Sequence, residues 1–190
     1  MFFSILVAAL GWYGCNHNAP AEDEGHSAHQ QDSGAQKPLS PRMQTMDNIA
    51  GTHVHIDYSS PSVRGRTIWN GLVAYGQVWA TGAHTATSID FSTEVTIGGQ
   101  HIPKGKYAFF TIPGEKEWIL ILNKNYDQHL ADNYDQNLDI VRLTVQPQPL
   151  EENVESLTYK VIPGAGNKGK IRMSWEKLKV EFDVEGQETE

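Results

Sequence analysis

The chain has 190 residues, 23 acidic and 15 basic, for a formal net charge of −8. So acidic a surface lacks the basic face that neutralises phosphates, which excludes nucleic acid as a partner. The length suits one domain with appendages. Five Trp, seven Tyr and six Phe supply a substantial core, and a single cysteine, Cys15, rules out an intrachain disulfide.

Residues 1–15 (MFFSILVAALGWYGC) are mostly apolar and end on that cysteine. At about 1.5 Å per residue they fall short of the roughly 30 Å a membrane span needs. They read as the apolar segment and cleavage zone of an export signal. Gly14 before Cys15 resembles the lipobox of bacterial lipoproteins, in which the cysteine is lipidated and becomes the new N-terminus. Trp12 stands where lipoboxes usually carry Leu, and no Lys or Arg precedes the apolar run. The expectation is an exported domain, held to the membrane by a lipid on Cys15, at the outer membrane or periplasmic face of a bacterial envelope. Residues 16–38 hold no aliphatic side chain larger than Ala and read as a disordered tether. Its His17, His26 and His29 are solvated linker histidines or a labile metal tract.

Residues 39–184 show short alternating runs separated by turn residues, the pattern of an all-β domain. In the first run, Thr52, Val54, Ile56 and Tyr58 alternate with His53, His55 and Asp57. The latter three share one strand face at about 6 to 7 Å spacing. They suit zinc or iron if His84 or His129 completes the set. Equally, they suit the solvated face of a half-buried antiparallel strand. Next, Pro61 and Gly65 punctuate a loop that projects Arg64 and Arg66 beside Trp69. Two clustered arginines in an acidic chain either grip an anion bidentately or pair with Asp57, Asp90 or Glu94.

Residues 71–75 are a candidate short helix. Tyr75-Gly76 and Thr81-Gly82 then turn the chain twice around Trp79. Trp79 plugs one end of the core with its indole N–H bonded. His84 sits at a strand entrance, as general base, ligand or plain turn residue. Thr87, Ile89 and Phe91 form the inward side of the next run, and residues 94–97 lead to a hairpin at Gly98-Gly99. Residues 106–112 and 118–123 flank Pro113-Gly114 as another hairpin. Tyr107 reads as a structural tyrosine corner. Phe109 and Phe110 point to opposite faces, which makes this a central strand if both faces are covered.

The loop with Asp127, Asp132, Asp135 and Asp139 lacks the Gly and Glu of a calcium loop and reads as a solvated connection, with a short helix candidate over 128–134. Residues 139–145, 155–162, 170–175 and 178–184 complete eight or nine strands, and 185–190 are a polar tail. The expected fold is an antiparallel β-sandwich, or a partly closed barrel, with at most short helical turns. The chain has no Gly-rich phosphate loop, nucleophile-elbow serine or HExxH, and lipidation of Cys15 would exclude thiol catalysis.

Several stretches together carry a resemblance: SPR at 40–42, YSSPSVRGRTIW at 58–69, LVAYGQVWATGA at 72–83 and GKYAFFTIPG at 105–114. Trp118, Asn123-Lys124 and Leu157 to Tyr159 add to it. The run from Ser40 to Trp175 resembles the domain of unknown function 2911 family of exported bacterial proteins. The resemblance implies an exported or lipid-anchored β-domain and brings no activity. The family pattern has an arginine after the tryptophan and an asparagine after Gly-Ala; here Ala80 and His84 stand in those places.

Three readings follow. The leading one is a lipid-anchored envelope β-domain whose loop face binds a small anionic or carbohydrate-like ligand or a protein partner. Arg64, Arg66, Trp69, Tyr75, Trp79 and His84 would form that face. The alternative is a metal-dependent hydrolase or oxidoreductase using His53, His55 and His84, with Asp57 as ligand or base and a metal-bound water of pKa near 7. The third is a purely structural domain. Whether Trp69 and Trp79 share one side of the core separates the first from the third, and convergence of His84 on His53 and His55 would favour the second.

Overall fold

A computed structural model describes residues 38–187. The expected export signal with Cys15, the tether with its three histidines up to residue 37, and the last three residues of the tail lie outside the described residues.

Ten antiparallel strands form two sheets. The first has six strands in the order β1 (Arg42–Ile49), β2 (Thr52–Ser59), β3 (Ser88–Phe91), β6 (Gly105–Ile112), β7 (Trp118–Asn123) and β8 (Asp139–Val145). The second has four, in the order β5 (Gln100–Ile102), β4 (Val95–Ile97), β10 (Lys168–Glu185) and β9 (Gln148–Pro163). The two sheets pack as a sandwich, not a closed barrel. Alternation explains the core: Val54, Ile56 and Tyr58 of β2, Phe109 of β6 and Leu120 and Leu122 of β7 meet Tyr159, Met173 and Phe182 of the facing sheet.

One edge of the sandwich is stitched by β2 itself. After Ser59 the chain bends at Pro61 and joins the other sheet, where Leu157 N–H donates to Pro61 O (2.9 Å) and Val63 N–H to Glu155 O (2.7 Å). The Ser60 hydroxyl donates to Leu157 O (2.7 Å) across the same corner. Proline suits this position, because only its carbonyl is called on. The corner places the Arg64–Arg66 loop at one end of the sandwich.

β6 is central, with β3 and β7 on either side. Phe109 lies in the inner core, while Phe110 lies in a second buried cluster with Ala80, Ala86, Ala108 and Ile121. Val78, Ala131 and Tyr134 pack on that cluster from outside the sheet, so both faces of β6 are covered. The Tyr107 hydroxyl donates to Pro103 O at 2.7 Å, a structural role, but the bond reaches only four residues back and spans no crossover.

Several expectations need correction. Residues 71–75 and 128–134 are turns; the latter is held by side chains, Gln128 bonding Asn125 O (2.7 Å) and accepting Asn133 N–H (3.0 Å). The one helical turn among the described residues is a 3-10 turn at Gln136–Leu138, where the Asp135 side chain accepts Asn137 N–H. Runs 170–175 and 178–184 are a single strand, β10, irregular at Glu176, whose φ is 55°. Glu185 belongs to that strand and pairs with Thr96. The aspartates after β7 are a connection whose Asp139 is occupied: it accepts Asn123 (2.7 Å), Tyr134 (2.6 Å) and Arg142 (2.6 Å). Burial and Asp139 push the Tyr134 hydroxyl up to about 12.

Candidate functional site

Beyond Thr87, where β3 no longer flanks β6, residues 78–84 take over its edge. Trp79 N–H donates to Thr111 O (2.8 Å) and Thr111 N–H to Trp79 O (3.0 Å). Strand alternation then sends Val78 and Ala80 to the outer cluster and Trp79 to the inner core. The following turn is clamped. Thr81 O accepts the Tyr159 hydroxyl (2.7 Å) and the Thr87 hydroxyl (3.0 Å), and the Trp79 indole N–H donates to Gly82 O (3.1 Å). Full burial pushes the Tyr159 hydroxyl well above the ordinary phenol range, so it is a neutral donor. A Cβ on Gly82 would stand 2.7 Å from Thr87 Oγ1 and 3.3 Å from Ser59 O, so the close approach requires glycine.

All four described tryptophans form one cluster. Trp79 stacks on Trp175 (5.8 Å, 23°), and Trp69 meets Trp118 (4.9 Å), Trp175 (5.9 Å) and Trp79 (6.0 Å) edge-on. Trp69 and Trp79 thus share one side of the core. The Trp69 indole N–H donates to Glu176 at 3.1 Å, at the irregular point of β10. Trp118 and Trp175 bury their indole N–H groups without an acceptor.

Where this cluster approaches the surface, it floors a hollow of about 420 Å³. Trp79 and Trp175 form the floor, Gly82, Ala83 and His84 one wall, Arg64 and Arg66 another, and Leu39, Leu72 and Leu130 the rim. The two arginines are held by backbone carbonyls. Arg64 donates to Leu39 O, and Arg66 donates to Val63 O (3.1 Å) and Ser62 O (2.6 Å). The expected pairing with Asp57, Asp90 or Glu94 is not formed. The other three arginines, Arg42, Arg142 and Arg172, each have a carboxylate partner; Arg64 and Arg66 have none among the described residues. Glu155 accepts the backbone N–H of Arg64 instead, at 2.9 Å. His84 is exposed with φ 63°, and its carbonyl accepts Leu130 N–H at 2.7 Å, which ties two loops together at the wall.

Of the expected ligand-binding residues, Arg64, Arg66, Trp79 and His84 line the hollow; Trp69 backs it from behind, and Tyr75 lies outside its lining. Trp175 and the rim leucines were missed. Leu130 did leave a signal, as a single large aliphatic residue in an otherwise polar turn.

The His-x-His-x-Asp face is a different arrangement. Its ring centroids are 6.5 Å apart, and His55 Nε2 stands 4.0 Å from Asp57 Oδ1. The Asp57 carboxylate already takes Gln44 (2.9 Å) from β1 and Lys106 (3.2 Å) from β6. Burial pushes its pKa up, but those two hydrogen bonds and the charges of Lys106 and His55 outweigh it and hold the group below its ordinary value. His84 lies past the Ser59 end of β2, in the hollow that Pro61 also lines, and His53 is not part of that lining. His129 pairs with Asp132 at 2.8 Å. No group of three or more His, Cys, Asp or Glu side chains among the described residues is placed to hold a metal ion.

No curated protein and no solved structure matches the chain. A family model does, over residues 40–184, which takes in both sheets and every element of the hollow except Leu39. The chain belongs to the family described as "Protein of unknown function (DUF2911)".

Proposed function

We propose that this chain is a lipid-anchored, envelope-associated binding domain whose hollow between Arg64, Arg66, Trp79, Trp175 and His84 takes a small anionic ligand. One observation carries the reading: the two arginines without carboxylate partners both face the same tryptophan-floored hollow in a chain of net charge −8. With acids in excess, a structural arginine would have found one, as Arg42, Arg142 and Arg172 do. Guanidinium groups steadied by carbonyls keep N–H groups over for a planar anion. The backbone clamps around Thr81 and Gly82 hold the floor rigid, which lowers the ordering cost of binding. The metal-dependent alternative needs a further ligand beside His53 and His55, and no group of three or more His, Cys, Asp or Glu side chains among the described residues is placed to hold a metal ion.

Because the described tryptophans form one cluster at the hollow, their fluorescence is the readout. Titration with benzoate should give a saturable change in the wild-type chain that is lost in R64Q/R66Q, and glucose should give none. A saturable glucose response that survives R64Q/R66Q would replace the anion by a carbohydrate. The anchor is tested separately: a fatty-acid label should be incorporated by the wild-type chain and not by Cys15→Ser.

A further inference from the structure

We infer that the ligand of the hollow is an amphiphilic anion, a carboxylate or phosphate monoester head on an apolar body of roughly a dozen heavy atoms; this rests on the binding reading above. The lining decides the class. Apart from Arg64, Arg66, His84 and Ser40 it is apolar, with two indole rings at the bottom. Leu39, Leu72 and Leu130 stand at the rim, 70%, 50% and 36% exposed, three of the six large hydrophobic residues left open to water among the described residues. A bare inorganic anion would satisfy the guanidinium groups and leave those leucines wet. A neutral apolar molecule would cover the leucines and leave the guanidinium groups unpaired.

Size agrees with this class. At about 30 Å³ for each water-sized group, the hollow admits on the order of fourteen such groups. That is too large for a simple oxyanion and in the usual range of small-molecule sites.

The backbone supplies an independent observation. Of the seven non-glycine residues with left-handed φ among the described residues, three line the hollow: Arg64 (49°), His84 (63°) and Leu130 (48°). That conformation costs about 1–2 kcal/mol in an L-residue, and the exposed Leu130 side chain recovers none of it by burial. Such strain is concentrated where a surface is held in shape for a ligand. Leu130 is tied to His84 by its N–H, so the apolar rim and the polar wall are set by one contact. The head then lies between Arg64 and Arg66, and the body runs over Trp79 and Trp175 under the leucines.

The test uses the full chain, tryptophan fluorescence and five probes: decanoate, decyl phosphate, decanol, acetate and inorganic phosphate. Decanoate, decyl phosphate or both should bind at least tenfold more tightly than decanol and than the corresponding bare anion. The preferred head tells a fatty-acid source from a phospholipid-derived one. R64Q/R66Q should bring the preferred probe down to the level of decanol. L72S/L130S should weaken it at least fivefold without changing the bare anion. All four positions are exposed, and thermal unfolding at the wild-type temperature verifies that both variants are folded. If the bare anions bind as tightly as the ten-carbon probes, the amphiphile is wrong and the anion site stands. If decanol equals decanoate and R64Q/R66Q changes nothing, or no probe binds up to its solubility limit, both are wrong.

Discussion

The two ends of β2 carry the same kind of chemical promise and come to opposite outcomes. Along the strand itself, His53, His55 and Asp57 share a face, but β1 supplies Gln44 and β6, one strand further across the sheet, supplies Lys106, and the carboxylate is consumed within the sheet. Past its end, Arg64 and Arg66 sit among excess acids and take none, on a loop that shares its hollow with two tryptophans. Reactive residue types at good spacing do not make a site. Groups whose bonding capacity the fold leaves over, on a rigid support, do.

The largest way to break this contrast is to remove the support. Trp79→Ala should destabilise the chain by about 3–5 kcal/mol, since it empties the stack on Trp175 and the contacts to Trp69 and Trp118. His53→Ala, at the exposed end, should stay within about 0.5 kcal/mol of wild type. Urea unfolding of the two variants side by side measures the difference, and equal losses would erase the distinction between the ends.

Next in size is Gly82→Ala, expected to cost about 1–3 kcal/mol, because the new methyl group must displace the Thr87 hydroxyl or the Ser59 carbonyl. The same variant should weaken benzoate binding, as Gly82 O holds the Trp79 indole. An undisturbed Tm would mean that the turn is looser than its hydrogen bonds imply.

Much of this was legible in the chain, and what was not has local causes. Strands β2, β3, β4, β6 and β7 followed from alternation and from the Pro113-Gly114 turn, and the Gly98-Gly99 signal marked the hairpin after β4 without giving the bounds of β5. Strand β1 carried no such signal: of its eight residues only Ile49 is buried, so its sequence has no apolar side to read. Glu176 and Lys177 interrupt the alternation of β10 at its irregular point, which made one strand look like two. Arg64, Arg66, Trp79 and His84 could be named because each announces its chemistry. Trp175 could not be joined to them, since 91 positions separate it from His84 and only the packing of the sheets unites them. The His-x-His-x-Asp face misled for a related reason: its partners come from β1 and β6, and no strand read alone reveals what pairs beside it.

Asp57 gives an intermediate effect with a definite pH dependence. Its carboxyl is held below the ordinary value in the fold, so it contributes stability above the unfolded pKa of about 3.9. That contribution is lost as the pH falls through the lower folded value. Asp57→Asn should therefore cost about 1–2 kcal/mol at neutral pH, as expected for a hydrogen bond to a charged group. It should also flatten the loss of stability below about pH 4. Unfolding midpoints measured from pH 7 to pH 2 test both. A variant that tracks wild type throughout would show that Gln44 and Lys106 hold nothing there.

The smallest effect bears most directly on what distinguishes the two ends. His84 occupies a left-handed position, φ 63°, and its imidazole is exposed, so the fold asks for a backbone conformation there and not for a ring. Asparagine, which the family resemblance would place at this point, is among the L-residues that tolerate the conformation best, and histidine is enriched in it too. Architecture thus accounts for the restricted choice at 84, and the ring is left over for the hollow. His84→Gly should raise stability by about 0.5–1 kcal/mol through relief of the backbone, and His84→Asn should change it by less than about 0.5 kcal/mol. Both should weaken benzoate binding by a similar factor, because both remove the imidazole from the wall. If His84→Asn binds benzoate as wild type does while His84→Gly does not, the position serves the ligand through its backbone and a polar amide, and the imidazole has no part in the site.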